Sequence, residues 1–197
     1  MCFRRIKLYQ KRNQHSCNAF LSRLSYSIIV DWIKPIKQAV QIYKLDKKAI
    51  SEVATGGDST RNAIIIVVIG GVLSGIAAGS ISFVLISPLV QLLGLGITAG
   101  FYHFLARLFG GKGGSMQLFR VFGYTYIVYW LSVIPLIGSI ILLLSIFWTI
   151  IVSIVVLKEL YNMTTMRAVI VGLIPLIVFG GMAMLIIGIT SWQMGYI

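Results

Sequence analysis

Ala63–Tyr102, AIIIVVIGGVLSGIAAGSISFVLISPLVQLLGLGITAGFY, is a stretch of 40 residues without Asp, Glu, Lys, Arg or His. Hydrocarbon about 30 Å thick takes roughly 20 helical residues to cross, so the stretch is long enough for two spans. Pro88 and Gln91 are its interruptions. Reading the proline as the turn, the sequence predicts spans near 63–86 and 89–109.

The same logic extends outward. Val121–Leu157 is a second uncharged run, too long for one helix, and its best break is Pro135-Leu136-Ile137-Gly138. Third and fourth spans are predicted near 117–134 and 136–157, and a fifth near 168–190. Pro175 falls inside the fifth, where neighbouring helices can satisfy the carbonyl it frees.

The basic residues orient these spans. Residues 1–61 hold twelve Lys+Arg against four Asp+Glu. Arg107, Lys112 and Arg120 fall between the second and third spans, and Lys158 and Arg167 between the fourth and fifth. Because basic loops stay on the cytoplasmic side, the pattern predicts an all-α, polytopic bundle of five transmembrane helices, with N-terminus cytoplasmic and C-terminus external. The chain then divides into a basic cytoplasmic segment, 1–61, and a five-span membrane domain, 62–197.

A net charge of +12 raises nucleic acid as a partner. The charge flanks spans, however, where anionic headgroups attract each basic residue by about 1 kcal/mol, so the expected partner is a bilayer with anionic headgroups and no nucleic acid. Cys2 and Cys17 lie in the cytoplasmic segment, which argues against a structural disulfide. Arg23 interrupts the apolar run Phe20–Val30, so no cleaved signal peptide is expected. Ile29, Ile33, Ile36, Val40 and Tyr43 recur at helical spacing beside Trp32, with Lys34, Lys37, Lys44, Lys47 and Lys48 around the other side. This predicts one basic amphipathic helix near 32–48 on the inner leaflet.

Within the spans, Gly71, Gly75 and Gly79 repeat every four residues, as do Gly96 and Gly100. Such faces let helix backbones approach closely, so the first three are candidate packing residues, within the chain or through self-association of the first span. Catalytic chemistry has little to work with. Beyond Arg61 there is one carboxylate, Glu159, and one histidine, His103. No paired carboxylates, nucleophile elbow or zinc spacing occurs, so no enzyme, metal or cofactor is expected. Gly110-Gly111-Lys112-Gly113-Gly114-Ser115 lacks the Gly-Lys-Ser/Thr order of a phosphate loop and reads as a flexible connection. His103 and Arg107 share a helix face as interfacial anchors.

Taken together, Gly110–Ser115, then Leu118-Phe119-Arg120-Val121-Phe122-Gly123-Tyr124, then Pro135, then Leu157–Thr164 and Arg167-Ala168 resemble the Yip-domain family of five-span membrane proteins. The resemblance covers roughly 32–188. It implies a non-enzymatic membrane protein that organises membrane or acts as a trafficking-type adaptor, recruiting partners through cytoplasmic loops. Gly110, Gly111, Lys112, Arg120, Gly123, Tyr124, Lys158, Glu159 and Arg167 become candidate interaction residues. Eukaryotic relatives bind Rab-type GTPases in vesicle traffic. Here residues 1–61 lack the longer region of those members, which argues against a Rab partner and for a prokaryotic-type member in the plasma membrane. Glu159 is expected to tie its loop to the glycine-rich loop through Arg120 or Lys112. A small transporter or lipid-moving protein is the alternative function.

Overall fold

The structure is a computed structural model that describes residues 33–134 and 137–194. Cys2, Cys17, Arg23, Ile29, Trp32 and Pro135 lie outside the described residues. The chain divides into two units, 1–37 and 38–197.

Every regular element among the described residues is helical. Residues 33–43 form α1. Then come α2 (Lys47–Thr55), α3 (Ser59–Ala77), α4 (Ile81–Leu108), α5 (Ser115–Thr125), a 3-10 helix (Tyr126–Val133), α6 (Ile137–Tyr161) and α7 (Thr165–Met194). Among the described residues, three helices are long and apolar enough to cross a bilayer: α3, α4 and the Leu143–Tyr161 part of α6. Thr165–Val178 of α7 is a shorter apolar helix. These helices are apolar around their circumference, whereas α2 and α5 are amphipathic.

The first turn is not at Pro88. α3 ends at Ala77, and Gly79 turns the chain at φ +69°, a backbone state glycine adopts without a Cβ clash. Pro88 sits inside α4 instead. It lies where α3 comes closest: a Cβ on Gly71 would stand 2.5 Å from Pro88 Cα, and one on Gly75 2.5 Å from Val84 Cα. A proline there costs α4 one backbone hydrogen bond while the glycines of α3 fit against that backbone. Gly71 and Gly75 thus pack within the chain, so the face that self-association would use is occupied by α4. Gly79 is a turn residue rather than a packing one, and a Cβ on Gly96 or Gly100 would meet nothing within 4 Å.

The predicted third span near 117–134 is two elements. α5 is amphipathic and buries Leu118, Val121, Phe122, Gly123, Tyr124 and Thr125. The chain then tightens into a 3-10 helix of 8 residues, longer than such helices usually run. It is held against α3, where Trp130 Nε1 donates to Ile66 O at 3.1 Å. It passes close over Gly70, where an added Cβ would be in ordinary contact, 3.4 Å from both Tyr126 O and Tyr129 Cβ. Ile134 is extended and α6 starts at Ile137, so no continuous helix joins Val121 to Leu157.

The single amphipathic helix expected near 32–48 is broken as well. α1 ends at residue 43, Leu45 takes φ +63°, and Asp46 caps α2 by accepting from Lys48 N at 2.9 Å. Ala39 and Ile42 are fully buried while Val40 is exposed. Tyr43 fastens the end of α1 twice: its hydroxyl donates to Thr125 O at 2.8 Å, and its carbonyl accepts from Trp148 Nε1 at 3.0 Å.

Candidate functional site: a tyrosine clasp under a basic rim

α4 ends in a Schellman motif. Gly110 has φ +82°, its N–H donates to Arg107 O at 3.0 Å, and Gly111 N–H reaches back to Ala106 O at 2.8 Å. Two residues past Arg107, Phe109 O accepts from Arg167 Nη1 at 3.4 Å, which places a cation where the helix dipole favours one.

The loop then closes on Tyr161, the last residue of α6. A Cβ on Gly111 or on Gly113 would stand 2.8 Å from the Tyr161 ring, so only glycines let both strands of the loop lie against it. Lys112 N–H donates to Tyr161 O at 3.3 Å. The Tyr161 side chain is almost wholly buried, with its hydroxyl 2.7 Å from His103 Nδ1. Asn162 at φ +50° turns the chain out of α6, and Lys158 Nζ donates to Thr165 Oγ1 across that turn at 2.8 Å.

This arrangement replaces the flexible connection expected for Gly110–Ser115 with a pinned one. The N–H groups of Gly110, Gly111 and Lys112 go to protein carbonyls, and that of Gly114 donates to Gln117 Oε1 at 3.1 Å. Those amides are therefore unavailable to cradle a phosphate. What remains outward is charge. Arg107, Lys112, Lys158 and Arg167 are all exposed, forming a rim of cations around a buried tyrosine.

Glu159 does not make the tie expected of it. Its Oε2 lies 3.4 Å from Lys47 Nζ on α2, with side chains 34% and 64% exposed. Arg120 serves the other end of α2, donating from Nη1 to Ala54 O at 2.9 Å and from Nε to Thr60 Oγ1 at 2.7 Å. The C-terminal carbonyls of α2 and its dipole draw the guanidinium, and the Lys112 side chain is turned outward. α2 is thereby held from α6 at its start and from α5 at its end.

Gly123 and Tyr124 work in the core. A Cβ on Gly123 would lie 2.6 Å from Ala63 Cβ, which brings α5 onto α3. Tyr124 is fully buried, and its hydroxyl has no hydrogen-bond partner among the described residues. Of the candidate residues, then, Gly111 and Lys112 meet Tyr161, Arg167 reaches Phe109 O beside Gly110, and Lys158 bonds to Thr165. Arg120 and Glu159 meet α2, and Gly123 and Tyr124 join α5 to the bundle. Sequence reasoning missed Tyr161 and Lys47 as the partners of these groups. Tyr161 had a signal, as an aromatic between the only late carboxylate and the next basic residue, but nothing local distinguishes Lys47 from the lysines around it. No group of three His, Cys, Asp or Glu that could hold a metal ion occurs among the described residues.

Neither the curated proteins nor the solved structures compared with this chain gave a match. The family model for the Yip1 domain matches residues 41–187, a span that contains the clasp, the rim and α2, and the chain therefore belongs to the Yip1 domain family.

Proposed function

We propose that this chain is a non-enzymatic, membrane-embedded adaptor whose basic rim, on the cytoplasmic side of a prokaryotic plasma membrane, receives acidic partners. The single observation that carries this reading is the division of labour in the clasp. Glycines and Tyr161 spend the backbone on fixing the loop, while Arg107, Lys112, Lys158 and Arg167 stay exposed. Fixed cations lose less conformational freedom on binding than mobile ones. Beyond Arg61 the sequence has one acid to neutralise them, Glu159, and it is turned to Lys47.

The topology that goes with this reading has five crossings, an inside N-terminus and an outside C-terminus. α5 and the 3-10 helix together form the third crossing: eleven residues at 1.5 Å and eight at 2.0 Å reach about 32 Å. α7, with 30 residues, is the fifth. The basic islands then all face an inner leaflet whose anionic headgroups attract them.

The test is photocrosslinking from position 112 in native membranes, set beside solute and lipid flux by purified protein in proteoliposomes. Position 112 should capture a discrete protein partner, and neutralising the four rim cations should abolish capture. Reproducible flux without any such capture would move the assignment to the transporter class.

A further inference from the structure

A groove of about 750 Å³ opens between α1, the 3-10 helix and α6, with walls that include Val40, Tyr43, Leu131, Leu144, Phe147 and Trp148. Its volume is that of a small-molecule site, and its chemistry is unusually one-sided. Three polar side chains bordering it are engaged elsewhere. Ser145 Oγ donates to Ile141 O at 2.6 Å, Trp148 Nε1 to Tyr43 O at 3.0 Å, and the Tyr43 hydroxyl to Thr125 O at 2.8 Å. These groups have their donors directed at backbone, so the groove favours hydrocarbon and disfavours a hydrogen-bonding solute.

The wall supplied by α6 belongs to a helix long and apolar enough to cross a bilayer, and Leu144 and Phe147 are 62% and 66% exposed along it. The medium facing such a wall is lipid. At one edge, α1 ends at Tyr43 and is followed by Lys44, which is exposed and makes no ion pair among the described residues. Tyr43 and Trp148 stand beside it, joined by the bond from Trp148 Nε1 to Tyr43 O.

We propose that this groove is a lipid site: it holds one acyl chain of an anionic glycerophospholipid, with the headgroup phosphate drawn to Lys44. The site is separate from the basic rim and does not depend on the adaptor reading. A bulk lipid tail slides past an exposed helix, whereas a chain in this open groove touches α1 and the 3-10 helix as well as α6. The lipid is therefore retained, and it is recognised by both its chain and its charge.

The experiment uses the full chain in vesicles containing phosphatidylglycerol with a photoactivatable diazirine on one acyl chain, against the phosphatidylcholine counterpart. Adducts should concentrate on residues 144–151 of α6 and exceed those on the equally exposed Leu85–Leu89 surface of α4 by about fivefold or more, the ratio that corresponds to roughly 1 kcal/mol. Labelling should saturate and be displaced by unlabelled phosphatidylglycerol. Val40→Trp and Ser145→Leu, which fill the groove from different walls, should each suppress it, and Leu85→Trp should not. Lys44→Gln should erase the preference for phosphatidylglycerol. Labelling of the unaltered chain that is linear in probe, undisplaced and spread evenly over α4 and α6 would overturn the proposal. So would finding the groove covered by a second copy of the chain or by residues 1–32.

Discussion

The Tyr161 hydroxyl lies 2.7 Å from His103 Nδ1, joining the end of α6 to the last turns of α4 through a part-buried polar contact. With Gly111 and Gly113 closing on the ring, this one residue sets the position of two loops.

Removing the hydroxyl and removing the ring should therefore differ sharply. Tyr161→Phe loses one hydrogen bond and should cost about 1 kcal/mol. Tyr161→Ala opens a cavity and should cost roughly 3–5 kcal/mol. Gly111→Ala drives a methyl toward the ring and Ala106 O and should cost about 1–3 kcal/mol. Unfolding in detergent micelles, followed by tryptophan fluorescence, ranks the three.

The two ends of α2 should contribute unequally. Arg120 is part-buried and donates to Ala54 O and Thr60 Oγ1, so Arg120→Ala should cost about 1.5–3 kcal/mol, as charged hydrogen bonds do. The Lys47–Glu159 pair is solvent-accessible, and a double-mutant cycle with Lys47→Ala and Glu159→Gln should return no more than about 1 kcal/mol, falling with salt.

Tyr43 gives a pH signature. Burial pushes its phenol up to about 12, opposed by a hydrogen bond with Thr149 and assisted by Tyr129. A raised pKa means the stability from the protonated phenol is complete below about pH 10, the unfolded value, and is lost as pH rises toward 12. The full effect is roughly 3 kcal/mol for two units. Tyr43→Phe should cost about 1 kcal/mol at pH 7 and should flatten the alkaline decline relative to the unaltered chain. An equal decline in both proteins would assign it to other groups.

The glycines of α3 and α4 should separate cleanly. Gly75→Val places a branched side chain where Val84 backbone lies 2.5 Å from an ideal Cβ, and should prevent accumulation of folded protein. Gly96→Ala and Gly100→Ala meet open space and should be neutral or stabilise by a few tenths of a kcal/mol, since alanine outranks glycine in helices. Thermal aggregation of detergent-purified variants measures this directly.

The long helices were legible because uncharged runs of 40 and 37 residues have few other uses, and the starts of α6 and α7 fall close to the expected breaks. Errors arose where tertiary packing overrides local punctuation. Pro88 is the stronger breaker in sequence, yet Gly79 makes the turn, because Gly71 and Gly75 let α3 lie directly against the helix that contains the proline. The 3-10 segment has no sequence period to announce it and is tied to α3 by the bond from Trp130 to Ile66 O. Around the site, the loop glycines and cations could be named from their order in the chain. Their partners could not: Lys47 is 112 positions from Glu159 by number, and Arg120 finds α2 only once α3 and α5 have packed.

In the proposed topology the two loops form one surface on one side of the membrane. Lys112 N–H donates to Tyr161 O at 3.3 Å, which sets Lys112 next to the turn that Asn162 begins, and a disulfide bridges Cα atoms about 4.4–6.8 Å apart. In a background with Cys2→Ser and Cys17→Ser, Lys112→Cys and Asn162→Cys should form an intramolecular disulfide on mild oxidation of intact membranes. When reduced, both thiols should react with a membrane-impermeant maleimide in inside-out vesicles and not in intact cells. Failure to crosslink, or labelling of the two positions from opposite sides, would contradict the account.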